Sequence, residues 1–272
     1  MQNFPVSLIE MGASLWRHRR LVQVLIQREV IGRYRGSVMG ILWSFFNPVF
    51  MLVIYTFVFS VVFKARWNVD SDSKTEFALV LFAGLIMFNL FSECVNRAPG
   101  LIISNANYVK KVVFPLEILP WVVLGSAMFH ALISLCVWLA AYLVLFGMPP
   151  TTVLLLPLII VPFMLFIMGL SWGLASLGVY LRDVSQFIGM VTSVLMFVTP
   201  IFYPVNSLPE KYRFYLLLNP LTPAVEMTRD VLFWGKVPDL SMLSLYALAT
   251  VLIAWLGFAW FQKTRKGFAD VL

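Results

Sequence analysis

Charge is what this sequence has least of. Asp, Glu, Lys and Arg make up 12% of its 272 residues, while 61% are hydrophobic, against about 25% charged in an ordinary soluble domain. Such a chain cannot coat a globule for water, and a polytopic membrane protein is predicted. Cysteine is nearly absent. Cys94 and Cys136 both fall inside apolar runs, where they pack as small hydrophobes, so no disulfide framework is expected. A loop of the form G-x-x-x-x-G-K-[ST] is missing, since Gly235-Lys236 is followed by Val237; the chain is therefore not expected to hydrolyse ATP alone. Nor do acids or histidines converge as catalysis or metal binding requires. Asp70-Ser71-Asp72 has the D-x-D form of a metal-assisted glycosyltransferase but stands without supporting acids. His130 is alone in its apolar run with Ser126 and Ser134 one turn away on either side, the pattern of a hydrogen-bonded packing residue rather than a proton relay. Gly169-x-x-x-Gly173 allows close helix approach, a spacing common by chance in spans.

The charge that is present is basic, with a formal net of +7. It sits beside membrane runs and lacks an interleaved aromatic-basic surface, so it reads as topology rather than nucleic-acid binding. Arg17, Arg19 and Arg20 precede LVQVLI, a run too short and too polar for a secretory h-region, and no cleaved signal is expected. Residues 1–37 form an N-terminal segment whose helix, over 8–35, is amphipathic. His18, Val22, Ile26, Val30 and Tyr34 share one i, i+4 row, with Glu29 and Arg33 paired at i, i+4. Trp16 and the arginines suit the headgroup plane, and a helix packed on the body of the protein is the alternative.

Residues 38–262 then read as six spans: 38–63, 77–96, 118–146, 153–180, a fifth from the Arg182-Asp183 turn to Tyr203, and 240–262, with a basic tail over 263–272. Six spans place both termini on one side. The segments assigned to the inner side carry 13 Lys and Arg against seven outside, which orients the termini toward the cytoplasm.

Two connections are more than loops. The elbow 97–120, RAPGLIISNANYVKKVVFPLEILP, carries Arg97, Lys110 and Lys111. Its prolines and asparagines suit short helices and sharp turns. It reads as a docking surface for a soluble partner through Asn107, Tyr108, Lys110 and Phe114, with Arg182 and Asp183 in the next inner turn; a loop that only sets topology is the alternative. Over 204–239, Ser207 and Glu210 have capping-box spacing, Thr222-Pro223 suits an N-cap and first turn, and Gly235 a helical stop. Two short apolar helices there predict a re-entrant hairpin, or a pair lying flat on the outer leaflet.

Two spans carry polar and aromatic residues on one face. In the first these include Tyr55, Thr56, Phe59, Ser60 and Phe63, and in the fifth Thr192, Met196, Thr199 and Tyr203. Hydroxyls and rings together suit the wall of a conduit, whereas hydroxyls bonded back to their own helix would be silent.

Several stretches in order carry a family resemblance: QREVIGRYRGSVMGILWSFFNPVFMLVIYTFVFSVVF, NANYVKKVVFPLEILP, YLRDVSQF, TPIFYP and LNPLTPAVEMTRDVLFWG. Together they resemble the channel-forming subunit of bacterial ABC exporters of O-antigen, capsule or teichoic acid, over nearly the whole chain. The resemblance implies an all-α membrane fold working as a homodimer in the bacterial cytoplasmic membrane, moving a lipid-linked polysaccharide. It also implies a cytoplasmic ABC ATPase dimer as partner, which holds the ATP and Mg, this chain holding no cofactor. The elbow would be the coupling segment and 204–239 the outer gate, with Tyr212, Tyr215, Thr222, Pro223, Glu226 and Arg229 as gate residues. An exporter half for a small amphipath or drug shares the fold. A membrane glycosyl- or acyltransferase would need the convergent acids or histidines that are missing.

Overall fold

A computed structural model describes residues 5–63, 67, 75–109 and 114–272, and every element among them is helical. In chain order these are α1 (Leu8–Arg17), α2 (Arg19–Arg33), α3 (Trp43–Tyr55), α4 (Glu76–Arg97), α5 (Ala106–Val109), α6 (Leu119–Phe146), α7 (Leu156–Tyr180), α8 (Val184–Val198), α9 (Glu210–Leu217), α10 (Leu221–Arg229), α11 (Leu240–Thr264) and α12 (Phe268–Val271). Among the described residues, five segments are long and apolar enough to cross a membrane: Gly40–Phe59, Glu76–Arg97, Leu116–Phe146, Thr151–Tyr180 and Leu240–Val271.

The remaining apolar helix differs from expectation. α8 has 15 residues and stops at Val198 rather than reaching Tyr203. The cause is local: Thr199 precedes Pro200 and is extended (φ −70°, ψ 136°), because the residue before a proline is driven out of the α region. The single helix expected over 8–35 is two, parting at His18. Ser7 starts the first by accepting from the Glu10 amide at 3.1 Å. In the second, Val22 and Val30 are buried and Val22 meets Ile118 and Val122. Gly125 of α6 makes room for Ile26, since a Cβ there would lie 2.2 Å from its Cδ1.

α4 is the axis of the bundle, buried continuously from Glu76 to Phe88, with α3, α6, α7, α8 and α10 packed around it. α7 and α11 form the closest helix pair. A Cβ on Gly257 would lie 2.0 Å from the Gly169 carbonyl oxygen, and one on Gly169 would lie 2.5 Å from that of Ile253. Backbones touch there, as small residues permit in spans. Of the Gly169-x-x-x-Gly173 spacing only Gly169 is used, opposite Gly257 on α11, while Gly173 faces open space.

Candidate functional site

The elbow is built on a firm base. After α4 ends, the Pro99 carbonyl rests on α7 at Gly178, where a Cβ would lie 2.0 Å from its oxygen. Ile102 is fully buried, and the Asn105 amide donates to the Leu101 carbonyl at 2.9 Å. Pro99 thus closes the turn behind α4 instead of opening a helix, and α5 begins at Ala106. The rings of Tyr108 and Phe114 stack 4.2 Å apart at 9°, closer than most aromatic pairs. Asn107 is exposed beside them; Lys110 lies outside the described residues. Arg182 and Asp183 are exposed in the α7–α8 turn at the same end of the bundle.

Glu117 ties the elbow to both ends of the chain. Its buried carboxylate accepts from the Ser14 hydroxyl at 3.0 Å and pairs with Arg265. Its backbone carbonyl accepts from the Trp172 indole at 3.0 Å, and Arg265 also donates to the Phe114 carbonyl at 2.8 Å. α1, the C-terminal tail, α7 and the elbow therefore meet at one residue, the first two on its carboxylate and α7 on its backbone carbonyl.

A second network joins α2 to α4. The pairs Glu29/Arg33 and Glu93/Arg97, each i, i+4 within its own helix, cross over in the fold: Arg97 bonds Glu29, Arg33 bonds Glu93, and Arg97 lies 3.6 Å from Glu93. Glu93 and Arg97 belong to a polar stripe on α4, Asn89, Ser92, Glu93, Asn96 and Arg97 at helical spacing. In the sequence Glu93 and Arg97 stand out as an i, i+4 pair at the end of this span, and the amides and the hydroxyl do not. Scoring every polar residue of that span at a 3.6-residue period would have found the rest.

Two cavities open along this stripe. One of about 420 Å³ lies between α2, α3, α4 and α6 and is lined by Ser44, Asn47, Met51, Tyr55, Asn89, Glu93 and His130 among others. The other, about 460 Å³, lies at the elbow between Glu29, Asn96, Arg97, Ser104, Tyr108 and Ser185. His130 turns Nδ1 toward the Tyr34 hydroxyl at 3.4 Å, leaving Nε2 buried without a partner among the described residues. The neighbouring Ser134 hydroxyl bonds the His130 carbonyl, not its ring.

The polar faces of the first and fifth spans have distinct surroundings. Tyr55 looks into the 420 Å³ cavity, Thr56 donates to the Leu52 carbonyl, Phe59 stacks on Phe77 and Phe202, and Phe63 is exposed. Ser60 belongs to the π-helical turn Thr56–Val62 that continues α3. On α8, Thr192 is buried and donates to Asn96 at 2.9 Å as well as to its own helix carbonyls, while Met196 is half-buried. Thr199 is fully buried and Tyr203 donates to the carbonyls of Phe197 and Val198. Phe187, Val194 and Phe197 on the opposite side are exposed.

The segment 204–239 splits into an outer and an inner helix. α9 exposes Tyr212 and Tyr215. The Ser207–Glu210 capping box does not form, because the Ser207 hydroxyl donates backward to Pro204 at 2.7 Å. α10 starts at Leu221, one residue before the Thr222 cap that was expected, because Asn219 accepts from the Leu221 amide at 3.1 Å and donates to Thr199 at 2.9 Å. Gly235, left-handed at φ 64°, ends the π-helical turn that extends α10 to Trp234. Thr222 and Pro223 are buried. Arg229 is 1% exposed and donates to the carbonyls of Val80, Pro200 and Ile201 at 3.1, 2.5 and 2.8 Å. It also pairs with Glu226 at 2.7 Å and lies 4.4 Å from the Trp67 ring centre. Burial pushes the Glu226 carboxyl up from the usual carboxylate range, with Arg229 pulling it back.

Comparison with known proteins places this architecture. The family model described as ABC-2 type transporter matches residues 20–233. The chain is 28% identical over 265 residues to the O-antigen export system permease protein RfbA of Myxococcus xanthus, covering 97% of this chain and 99% of that one. It is 28% identical over 256 residues to a Klebsiella pneumoniae protein of the same name, covering 93% and 95%. To the polysialic acid transport protein KpsM of Escherichia coli it is 26% identical over 252 residues, covering 90% and 93%.

Proposed function

The chain belongs to the ABC-2 type transporter family, and from that premise we propose that it is the permease half of an ATP-driven polysaccharide exporter in a bacterial inner membrane. One observation carries the reading: relatives aligned over nine-tenths or more of both chains are named for exporting O-antigen or polysialic acid. The cargo is a lipid-linked polysaccharide, and two copies of the chain enclose its path. ATP and Mg are held by a separate ABC ATPase, which docks on the elbow from the cytoplasm. Both termini and the elbow lie on the cytoplasmic side, and α9–α10 on the outer side.

The anchoring of the elbow supports this division of labour. A partner pressing on Tyr108 and Phe114 pushes on a segment fixed to α1, α7 and the tail through Glu117, and α4 continues from it. Packed elements pass on such a displacement as rigid bodies rather than absorbing it. The hairpin at the far end is locked to the same helix through Val80.

The test uses a strain lacking the gene. Surface polysaccharide should vanish and return with the wild-type chain plus its ATPase. A chain with Tyr108→Ser and Phe114→Ser should accumulate normally yet fail to co-purify with the ATPase. Unchanged surface polysaccharide in the deletion strain refutes the cargo, and undiminished co-purification refutes the docking surface.

A further inference from the structure

The 420 Å³ cavity has a chemistry that the transport reading leaves unused. Its size is that of a small-ligand site, which runs from about 300 to 1,000 Å³. Asn89 lies eight residues before Arg97, at the end of α4, and so sits about 12 Å into the span. It is exposed on a helix whose preceding residues are all buried. The carboxamides of Asn47 and Asn89 make no hydrogen bond to any described residue, and both line this cavity. Amides at this depth are costly without a partner, whether water or ligand.

The lining also says what kind of partner fits. Arg33 and Glu93 pair across the rim, so among the described lining residues no lysine or arginine is left unpaired for a phosphate. Trp43 and Tyr55 present rings, and Ser92 a hydroxyl that donates to the Asn89 carbonyl at 3.3 Å and keeps its acceptor side open. Unpaired amides, hydroxyls and aromatic rings around a neutral space match a sugar, whose hydroxyls take the amides and whose apolar face takes a ring. We propose that this cavity is a subsite for one neutral sugar unit of the exported glycan, an assignment that rests on polysaccharide being the cargo.

A photoreactive benzoylphenylalanine is placed in the full chain at position 47, 89 or 194, in cells making the surface glycan, and export by each protein is measured before irradiation. Positions 47 and 89 should give glycan-bearing adducts, detected with an antibody to that surface glycan, and the exposed apolar position Val194 none. In parallel, Asn89→Leu should slow export about tenfold at matched protein level, and Asn89→Gln much less, as expected for one or two lost hydrogen bonds. Normal export by Asn89→Leu, together with no glycan adduct or only phospholipid adducts at 47 and 89, overturns the subsite and leaves the cargo reading standing. Surface glycan that persists without the gene removes the cargo reading itself.

Discussion

Replacing Arg229 by methionine should loosen the hairpin from the bundle. The change keeps bulk but leaves the carbonyls of Val80, Pro200 and Ile201 and the Glu226 carboxylate without their donor. A buried acceptor left unpaired costs about 1–3 kcal/mol, and removing one partner of a buried ion pair about 3–5 kcal/mol. Glu226 is 37% exposed, so water recovers part of its loss, and the carbonyls can relax. About 3–5 kcal/mol in all is a reasonable total, which raises the detached population by roughly 10² to 4 × 10³-fold. Trypsin reads that population, because cleavage at Lys211, Arg213 and Lys236 tracks the opened form when reclosing is fast. Arg229→Lys should fall between the two, since one ammonium cannot reach all three carbonyls. It supplies the readout if Arg229→Met does not accumulate. Cleavage of Arg229→Met and Arg229→Lys at the wild-type rate would refute the latch.

Three further outcomes can be checked separately. Single cysteines in a chain lacking Cys94 and Cys136 should react with an impermeant thiol reagent from outside at Asn206 but not at Asn107; labelling at Asn107 from outside reverses the proposed orientation. Gly257→Leu should abolish stable folding, since even a Cβ there meets the Gly169 carbonyl at 2.0 Å, whereas Gly173→Ala, facing open space, should shift the melting temperature in detergent by no more than about 2 °C. Glu29→Arg should weaken thermal stability and the double exchange Glu29→Arg with Arg97→Glu should restore part of it, by roughly 0.5–3 kcal/mol of coupling. Additive losses would show that the α2–α4 pair is not coupled.

Much of the fold was legible because long apolar runs have few options in a bilayer. The limits of α4 and α6 followed from where charge and proline interrupt those runs, and Gly235 from its need for a left-handed backbone. What escaped was decided across elements. Arg229 looks in the sequence like one more outer charge, and only the fold surrounds it with three carbonyls. Glu29, Arg33, Glu93 and Arg97 form two helical pairs by spacing, but their strongest contacts are with each other's helices. α10 starts at Leu221 rather than after Thr222 because Asn219 takes the Leu221 amide, with its other end held by Thr199, twenty residues earlier.

Glu117 has a consequence in time as well as space. It leaves the ribosome 148 residues ahead of Arg265, about 7–30 s earlier at ordinary rates of synthesis. Until then its carboxylate has Ser14 but not its cation, and the Phe114 carbonyl lacks the same donor. The elbow is synthesised in one stretch of the chain and tied only when a stretch 148 residues later arrives. A chain cut short before Arg265 carries every elbow residue and still lacks the one guanidinium that holds the Glu117 carboxylate and the Phe114 carbonyl together.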